Sequence, residues 1–183
     1  MSADRPRSPQ PVLELVGVDD LSPADRSAII RLCADAFEED FTPLFQYLPG
    51  STHVLARLDG ELVSHACWVT RSLQPGELRP LRTAYVEAVA TAPPHQGRGY
   101  GSAVMQRLAA AIGDYELGGL STGRFSFYER LGWERWPGPL AVRTQHGLLH
   151  TPGERVLILQ LPRTPPLDLH ALLTAEWRPG ELW

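Results

Sequence analysis

Lysine is absent from these 183 residues: the 17 positive side chains are all arginine, against 21 acids, for a net charge of −4. Without lysine a P-loop is excluded. The negative balance also argues against nucleic acid as a partner, because a phosphate-binding surface needs clustered cations. Cysteine is scarce. Cys33 and Cys67 each sit in an apolar run, too few and too isolated for a disulfide framework or a zinc site, so both read as core and no metal is expected. Long apolar runs are missing too. No segment approaches the roughly 20 apolar residues that cross a bilayer, and the opening residues lack the apolar stretch of a signal peptide, so no membrane partner and a cytoplasmic location are expected. Met1 to Pro11, rich in proline, serine and charge, reads as a disordered tail ahead of one domain over residues 12–183.

What is present is a sequence of alternating strand and helix signals. Val12 to Val18 is β-compatible. Ser22-Pro23-Ala24-Asp25 combines a capping serine, a first-turn proline and an acid placed to complete a capping box. Ile29, Leu32, Cys33, Ala36 and Phe37 follow at helical spacing, which predicts a helix over Pro23 to Phe37. His53 to Leu58 and Glu61 to Leu73 are strand-like and flank Asp59-Gly60, a strong hairpin signal. A second turn at Gln74-Pro75-Gly76 leads to a strand from Leu78 to Thr91, completing an antiparallel meander that the paired prolines Pro93 and Pro94 stop.

Helical spacing returns from Gly99 to Ile112. A short apolar run at Leu117 to Ser121, a helix over Arg124 to Leu131 stopped by Gly132, and a strand begun by Trp133 come next. Trp136 to Gly153 reads as turns, Arg155 to Leu161 as a strand, and Asp168 to Trp177 as a short helix. The order predicts an α/β (α+β) fold whose mixed, mostly antiparallel sheet is flanked by helices.

Gln96-Gly97-Arg98-Gly99-Tyr100-Gly101 lies between a strand and a helix. Backbone N–H groups at a positive helix end, with no side chains in the way, make a site for a diphosphate, and Arg98 can add a charged hydrogen bond. Read alone, the segment is equally a glycine-rich turn without a ligand. It is not a dinucleotide fingerprint, for the expected downstream acid is missing. It resembles the Gln/Arg-x-x-Gly-x-Gly/Ala signature of the GCN5-related N-acetyltransferases, here Gln96, Gly99 and Gly101, with the strand Tyr85 to Thr91 before it and Phe127 to Trp133 after it. Tyr85 to Ala90, Tyr115 to Ser121, Tyr128 to Trp133 and the closing Glu176 to Trp183 together look like an aminoglycoside 2′-N-acetyltransferase, a resemblance that covers Phe37 to Trp183.

That resemblance implies acetyl-coenzyme A as co-substrate, direct transfer without an acyl-enzyme, a small-molecule aminoglycoside acceptor and a homodimer. It implies Glu87 as the base, acting through water, and Tyr128 as the acid for the departing thiolate. Val89 offers its N–H to the thioester carbonyl and Thr91 pairs with the pantetheine arm, while Gln96, Gly97, Arg98, Gly99, Tyr100, Gly101 and Ser102 hold the diphosphate. Asp40, Ser121, Glu181 and Trp183 with its carboxylate fall at acceptor-binding positions. Family members commonly carry a second acid shortly after the position of Asp40, where this chain has Pro43-Leu44-Phe45, and an acidic run after Thr151-Pro152 is reduced to Gly153-Glu154-Arg155. A less cationic acceptor is therefore expected, with kasugamycin as a fitting example. His65 and Cys67, two apart in a strand, share a face and read as packing. The competing readings are an acetyltransferase for another small amine, a polyamine or a peptide, and a non-catalytic acetyl-coenzyme A sensor.

Overall fold

The computed structural model describes residues 9–183, so most of the expected tail lies outside the described residues. Strand β1 (Val12–Gly17) leads through a single turn to helix α1 (Pro23–Phe37). Ser22 caps α1 by accepting from the Asp25 N–H at 3.0 Å, as the capping residues predict, and Glu38 closes it in a left-handed conformation. A short helix, α2 (Leu44–Tyr47), was not legible as such. One turn of chain has too few positions to display a period.

The meander is β2 (Thr52–Leu58), β3 (Glu61–Pro75) and β4 (Leu81–Thr91). Asp59 and Gly60 both adopt positive φ, the requirement of a type I′ turn, which is why Asp-Gly marks this hairpin. After β4 come α3 (Tyr100–Ala111), β5 (Leu117–Ser121), α4 (Phe125–Glu129) and β6 (Glu134–Arg135). Then follow β7 (Leu140–Thr144), β8 (Gly147–His150), β9 (Val156–Gln160) and β10 (Leu173–Glu176).

Two expectations are corrected here. The run read as turns, Trp136 to Gly153, contains the β7–β8 hairpin; β8 is exposed along its whole length at the sheet margin, so burial leaves no alternation in it to read. The helix expected over Asp168 to Trp177 is instead strand β10, which lies parallel to β7 and antiparallel to the far end of β3. Long-range pairing overrides local helix propensity there.

All ten strands form one sheet, ordered β6-β9-β5-β4-β3-β10-β7-β8, with β2 also on β3 and β1 on β2. Strand β3 is long enough to hold β2 along its first part, through Trp68, and β10 from Leu73 onward. One face buries Val104, Met105, Leu108 and Ile112 of α3 against Val54, Val63 and Val86. The other buries Ile29, Leu32 and Cys33 of α1 against Leu55 and Ala90, and continues into a cluster around Tyr85, Trp136 and Trp183. Each fully buried aliphatic side chain contributes roughly 1.5–3 kcal/mol of transfer free energy. Among the described residues, no helix is long and apolar enough to cross a membrane.

Candidate active site

Strands β4 and β5 pair in parallel only at Thr83–Leu117, Ala84–Gly118 and Tyr85–Gly119. Beyond Tyr85 the ladder ends and the strands diverge, because a bulge re-aims β4. His65 of β3 faces Ala90 while Cys67 faces Glu87, so β4 carries one extra residue, and Ala88 takes up the difference in a left-handed conformation with φ of 50°. Ala88 and Val89 thus fall between paired positions, freeing Val89 from the ladder. The opening is a cavity of about 860 Å3, lined by Val86 to Thr91 of β4, the start of α3, Leu120 and Ser121 of β5, Tyr128 of α4, and Trp183.

A buried polar chain pins the bulge. The Ala88 carbonyl can only accept, so the contact at 2.8 Å makes His65 Nδ1 the donor. His65 Nε2 then accepts from His53 Nδ1 at 2.9 Å, and His53 Nε2 accepts from the Ser51 hydroxyl at 2.8 Å. Burial lowers both imidazoles, His53 to about 3 and His65 to about 4, which keeps them neutral and the chain's direction fixed. His65 is therefore hydrogen-bonded to the site's backbone rather than merely packed. Ligand atoms of His53, His65 and Cys67 come within 4.8 Å of one another, but the imidazole nitrogens already serve each other, Ser51 and Ala88. Cys67 Sγ points to the Glu87 carbonyl at 3.4 Å.

At the loop, Gly97 and Gly99 have φ of 74° and 89°, and an added Cβ at either would stand in open space; it is the backbone angle that demands glycine. Helix α3 has no side-chain cap, and its first internal bond is Ala103 N–H to Gly99 C=O at 3.0 Å, leaving the N–H groups of Tyr100, Gly101 and Ser102 without helical acceptors. Such a helix start suits a phosphate. Gly101 is small for another reason: a Cβ there would press on Thr91 Oγ1 at 3.2 Å and on Phe127. The exposed Gln96 folds back on the strand, its amide donating to the Thr91 carbonyl at 3.1 Å, and Ser64 shares a hydrogen bond with the Thr91 hydroxyl at 2.8 Å.

Glu87 and Tyr128 both line the cavity. Tyr128 packs edge-on to Phe127 and Trp133, and burial pushes its phenol up to about 12, so it stays protonated at neutral pH. Burial also raises the Glu87 carboxyl, an effect opposed by the guanidinium of Arg178, whose Nη2 stands 2.6 Å from Oε1. Arg178 is a site residue that the sequence reading missed. So is Arg71, which donates from Nη1 to the Leu182 carbonyl and from Nη2 to that of Glu176, both at 2.9 Å. Arg71 did leave a signal, a charge between Val69 and Leu73 on the inward face of a strand.

Other expected positions are not gathered. Asp40 is exposed and accepts from the Thr42 N–H at 2.8 Å, while Glu181 and Arg98 are exposed and stand outside the cavity wall. Ser121 reaches the cavity, as does Trp183, whose indole N–H bonds Thr151 Oγ1 at 2.8 Å. Arg124 and Arg130 line it as well.

A family profile described as "Acetyltransferase (GNAT) domain" matches residues 18–136. The chain belongs to the GNAT acetyltransferases. It is an acetyl-coenzyme A-dependent N-acetyltransferase with the fold of that family. It is 36% identical over 178 residues to an aminoglycoside 2′-N-acetyltransferase from Mycolicibacterium fortuitum, covering 92% of this chain and 90% of that protein. The fold resembles a GNAT family N-acetyltransferase, YhbS, from Escherichia coli in complex with CoA, with a TM-score of 0.64 at 14% identity over 97% of this chain and 94% of the other. A GCN5-related N-acetyltransferase from Kribbella flavida matches with a TM-score of 0.55 at 23% identity; 71% of this chain is covered, and it spans only 34% of that longer one.

Proposed function

We propose that this GNAT enzyme acetylates the 2′-amine of an aminoglycoside, and that its acceptor carries fewer positive charges than the deoxystreptamine antibiotics; kasugamycin fits that description. The observation that carries the reading is the cavity wall, where Glu87 is the sole acidic side chain among the described residues and faces the same space as Tyr128. A polycation draws affinity from several partly buried carboxylates. Here Asp40 and Glu181 stand back, while Arg124 and Arg130 add positive charge to the wall and Arg178, behind it, pairs with Glu87. The 36%-identical M. fortuitum protein supports the aminoglycoside class.

Acetyl-coenzyme A fits the uncapped start of α3, where Tyr100, Gly101 and Ser102 would hold the diphosphate, with Arg124 and Arg130 available to its remaining ribose phosphate. Bound there, it supplies an activated acetyl group as a thioester. Glu87, through a water, takes a proton from the acceptor ammonium so that the nitrogen lone pair is free to attack. The Val89 N–H donates to the carbonyl oxygen as negative charge grows there. Tyr128 gives its proton to the sulfur as the C–S bond breaks, and regains one from the nitrogen that has become an amide, so that one proton in total is released per turnover.

The test is thiol release across kasugamycin, gentamicin, tobramycin, a polyamine and a peptide, with mass mapping of products. Acetylation of kasugamycin at the 2′-amine in preference to the more cationic drugs is expected. Efficient turnover of gentamicin or tobramycin with kasugamycin ignored would overturn the charge argument, and turnover of only the peptide or polyamine would overturn the aminoglycoside class. Size-exclusion chromatography tests the homodimer that the family resemblance implies.

A further inference from the structure

Residues 177–183, following β10, form a strap fastened at several points. Arg71, 3% exposed, donates to the carbonyls of Glu176 and Leu182 and pairs with the Glu176 carboxylate, whose other oxygen accepts from the Ser72 N–H at 2.9 Å. Trp183 is buried and tied to Thr151. Between these anchors Arg178 donates from Nε to the Glu181 carbonyl at 2.5 Å, which aims the rest of its guanidinium inward. Its Nη2 meets Glu87 Oε1 at 2.6 Å, with both side chains less than a fifth exposed and the Arg178 guanidinium 5.6 Å from the centre of the Tyr85 ring. Oε1 is shielded from solvent and has no other polar partner among the described residues; the pair has the geometry of an ion pair rather than of an aligned hydrogen bond.

We propose that Arg178 is the positioning residue for Glu87: the strap delivers a guanidinium to one carboxylate oxygen, fixing the side chain and favouring its ionised form, so that the strap and the base work as one unit. This rests on the reading of Glu87 as the base. The other groups facing Glu87 do not substitute for Arg178. On β3, Arg71 also favours the ionised form but from a distance, its N–H groups being committed to the strap carbonyls, and Cys67 is a buried thiol; on β4, Tyr85 is a buried phenol; on the strap, Glu181 is of like charge. Arg178 is thus the close cation that offsets the cost of burying a carboxylate in a mostly apolar strand.

The sign follows directly. Removing the cation disfavours the ionised carboxylate, so Glu87 binds its proton more tightly and activity is lost at a higher pH. The experiment titrates the side-chain carboxyl of Glu87 by NMR in protein carrying 13C-labelled glutamate, assigned by its loss in Glu87→Gln. Alongside, kcat/KM for thiol release is measured against pH. In Arg178→Gln the Glu87 midpoint and the acid limb of kcat/KM should rise together by about one pH unit or more, with KM for acetyl-coenzyme A unchanged. Arg178→Lys, which keeps the charge, should restore most of both. A midpoint that stays in place in Arg178→Gln, or rises as far in Arg178→Lys, would overturn the proposal and leave Arg178 as a strap anchor alone. If Arg178→Gln does not fold, Arg178→Met, which also removes the charge, is titrated in its place and read by the same criterion, an unmoved midpoint overturning the proposal and a rise of about one unit or more, reversed in Arg178→Lys, upholding it. Failure of the base reading looks different, because Glu87→Gln would then retain full turnover whatever the midpoint does.

Discussion

The cavity has two walls made in different ways. The loop wall, from Val86 to Ser102, is one stretch of chain: a bulged strand, a proline stop, a glycine turn and a helix start. The strap wall presents Glu87 and Trp183, backed by Arg178 and Arg71, and is drawn from β3, β4 and residues after β10. Local chemistry dictates the first, because glycine, proline and an open helix terminus act on their neighbours. Long-range contacts assemble the second, and its parts have no meaning for one another until the sheet has formed. The walls should therefore respond differently to substitution.

The largest effect belongs to the residue shared by both. Glu87→Gln should lower kcat by roughly 10²–10⁴-fold, the range for a lost general base, with KM for acetyl-coenzyme A unchanged in a thiol-release assay. Tyr128→Phe should cost about 10²-fold in kcat. Because burial raises this phenol to about 12, no basic limb from it should appear below about pH 11 in a kcat–pH profile. On the strap wall, Arg71→Met strands two carbonyls and the Glu176 carboxylate; a loss of about 3 kcal/mol or more is expected by denaturant unfolding, with a raised KM for the acceptor only. On the loop wall, Gly99→Ala forces alanine into a left-handed conformation costing roughly 1–2 kcal/mol, and should raise KM for acetyl-coenzyme A about tenfold while leaving the acceptor KM alone. Crossed KM effects in these last two variants would break the distinction between the walls.

The last effect, read against pH and leaving the cavity's own side chains untouched, concerns the pins of the bulge. His53 and His65 have folded values lowered from 6.5 to about 3 and about 4, so the unfolded chain binds the extra protons. Stability from keeping these rings neutral is full above pH 6.5 and is lost as pH falls through about 4 and then about 3. A melting temperature that declines over that window in the native protein, and declines less steeply in a His53→Gln variant, is the expected result.

Much of the fold was legible because its signals are local. Ser22 and Asp25 cap α1, Asp59-Gly60 turns the first hairpin, and Gly132 closes the turn after α4 with φ of 88°, each where the sequence pointed. The strands beyond Trp136 were less so. Exposed β8 lacks a buried face, and β10 becomes a strand only through partners on β3 and β7 that lie far away in sequence. Of the positions expected to meet an acceptor, Ser121 and Trp183 reach the cavity, whereas Asp40 and Glu181 do not. Spacing along the chain carries no information about which carboxylate faces inward once a loop intervenes.

By itself the sequence determined the uncapped helix start after the glycine turn, the strand that leads to it and the types of residue able to move protons. Only the tertiary structure decided that β4 bulges at Ala88 under a buried Ser51–His53–His65 chain, and that Arg178 meets Glu87. Backbone preferences act over a few residues, whereas burial and charge pairing depend on which distant segments the folded sheet brings into contact.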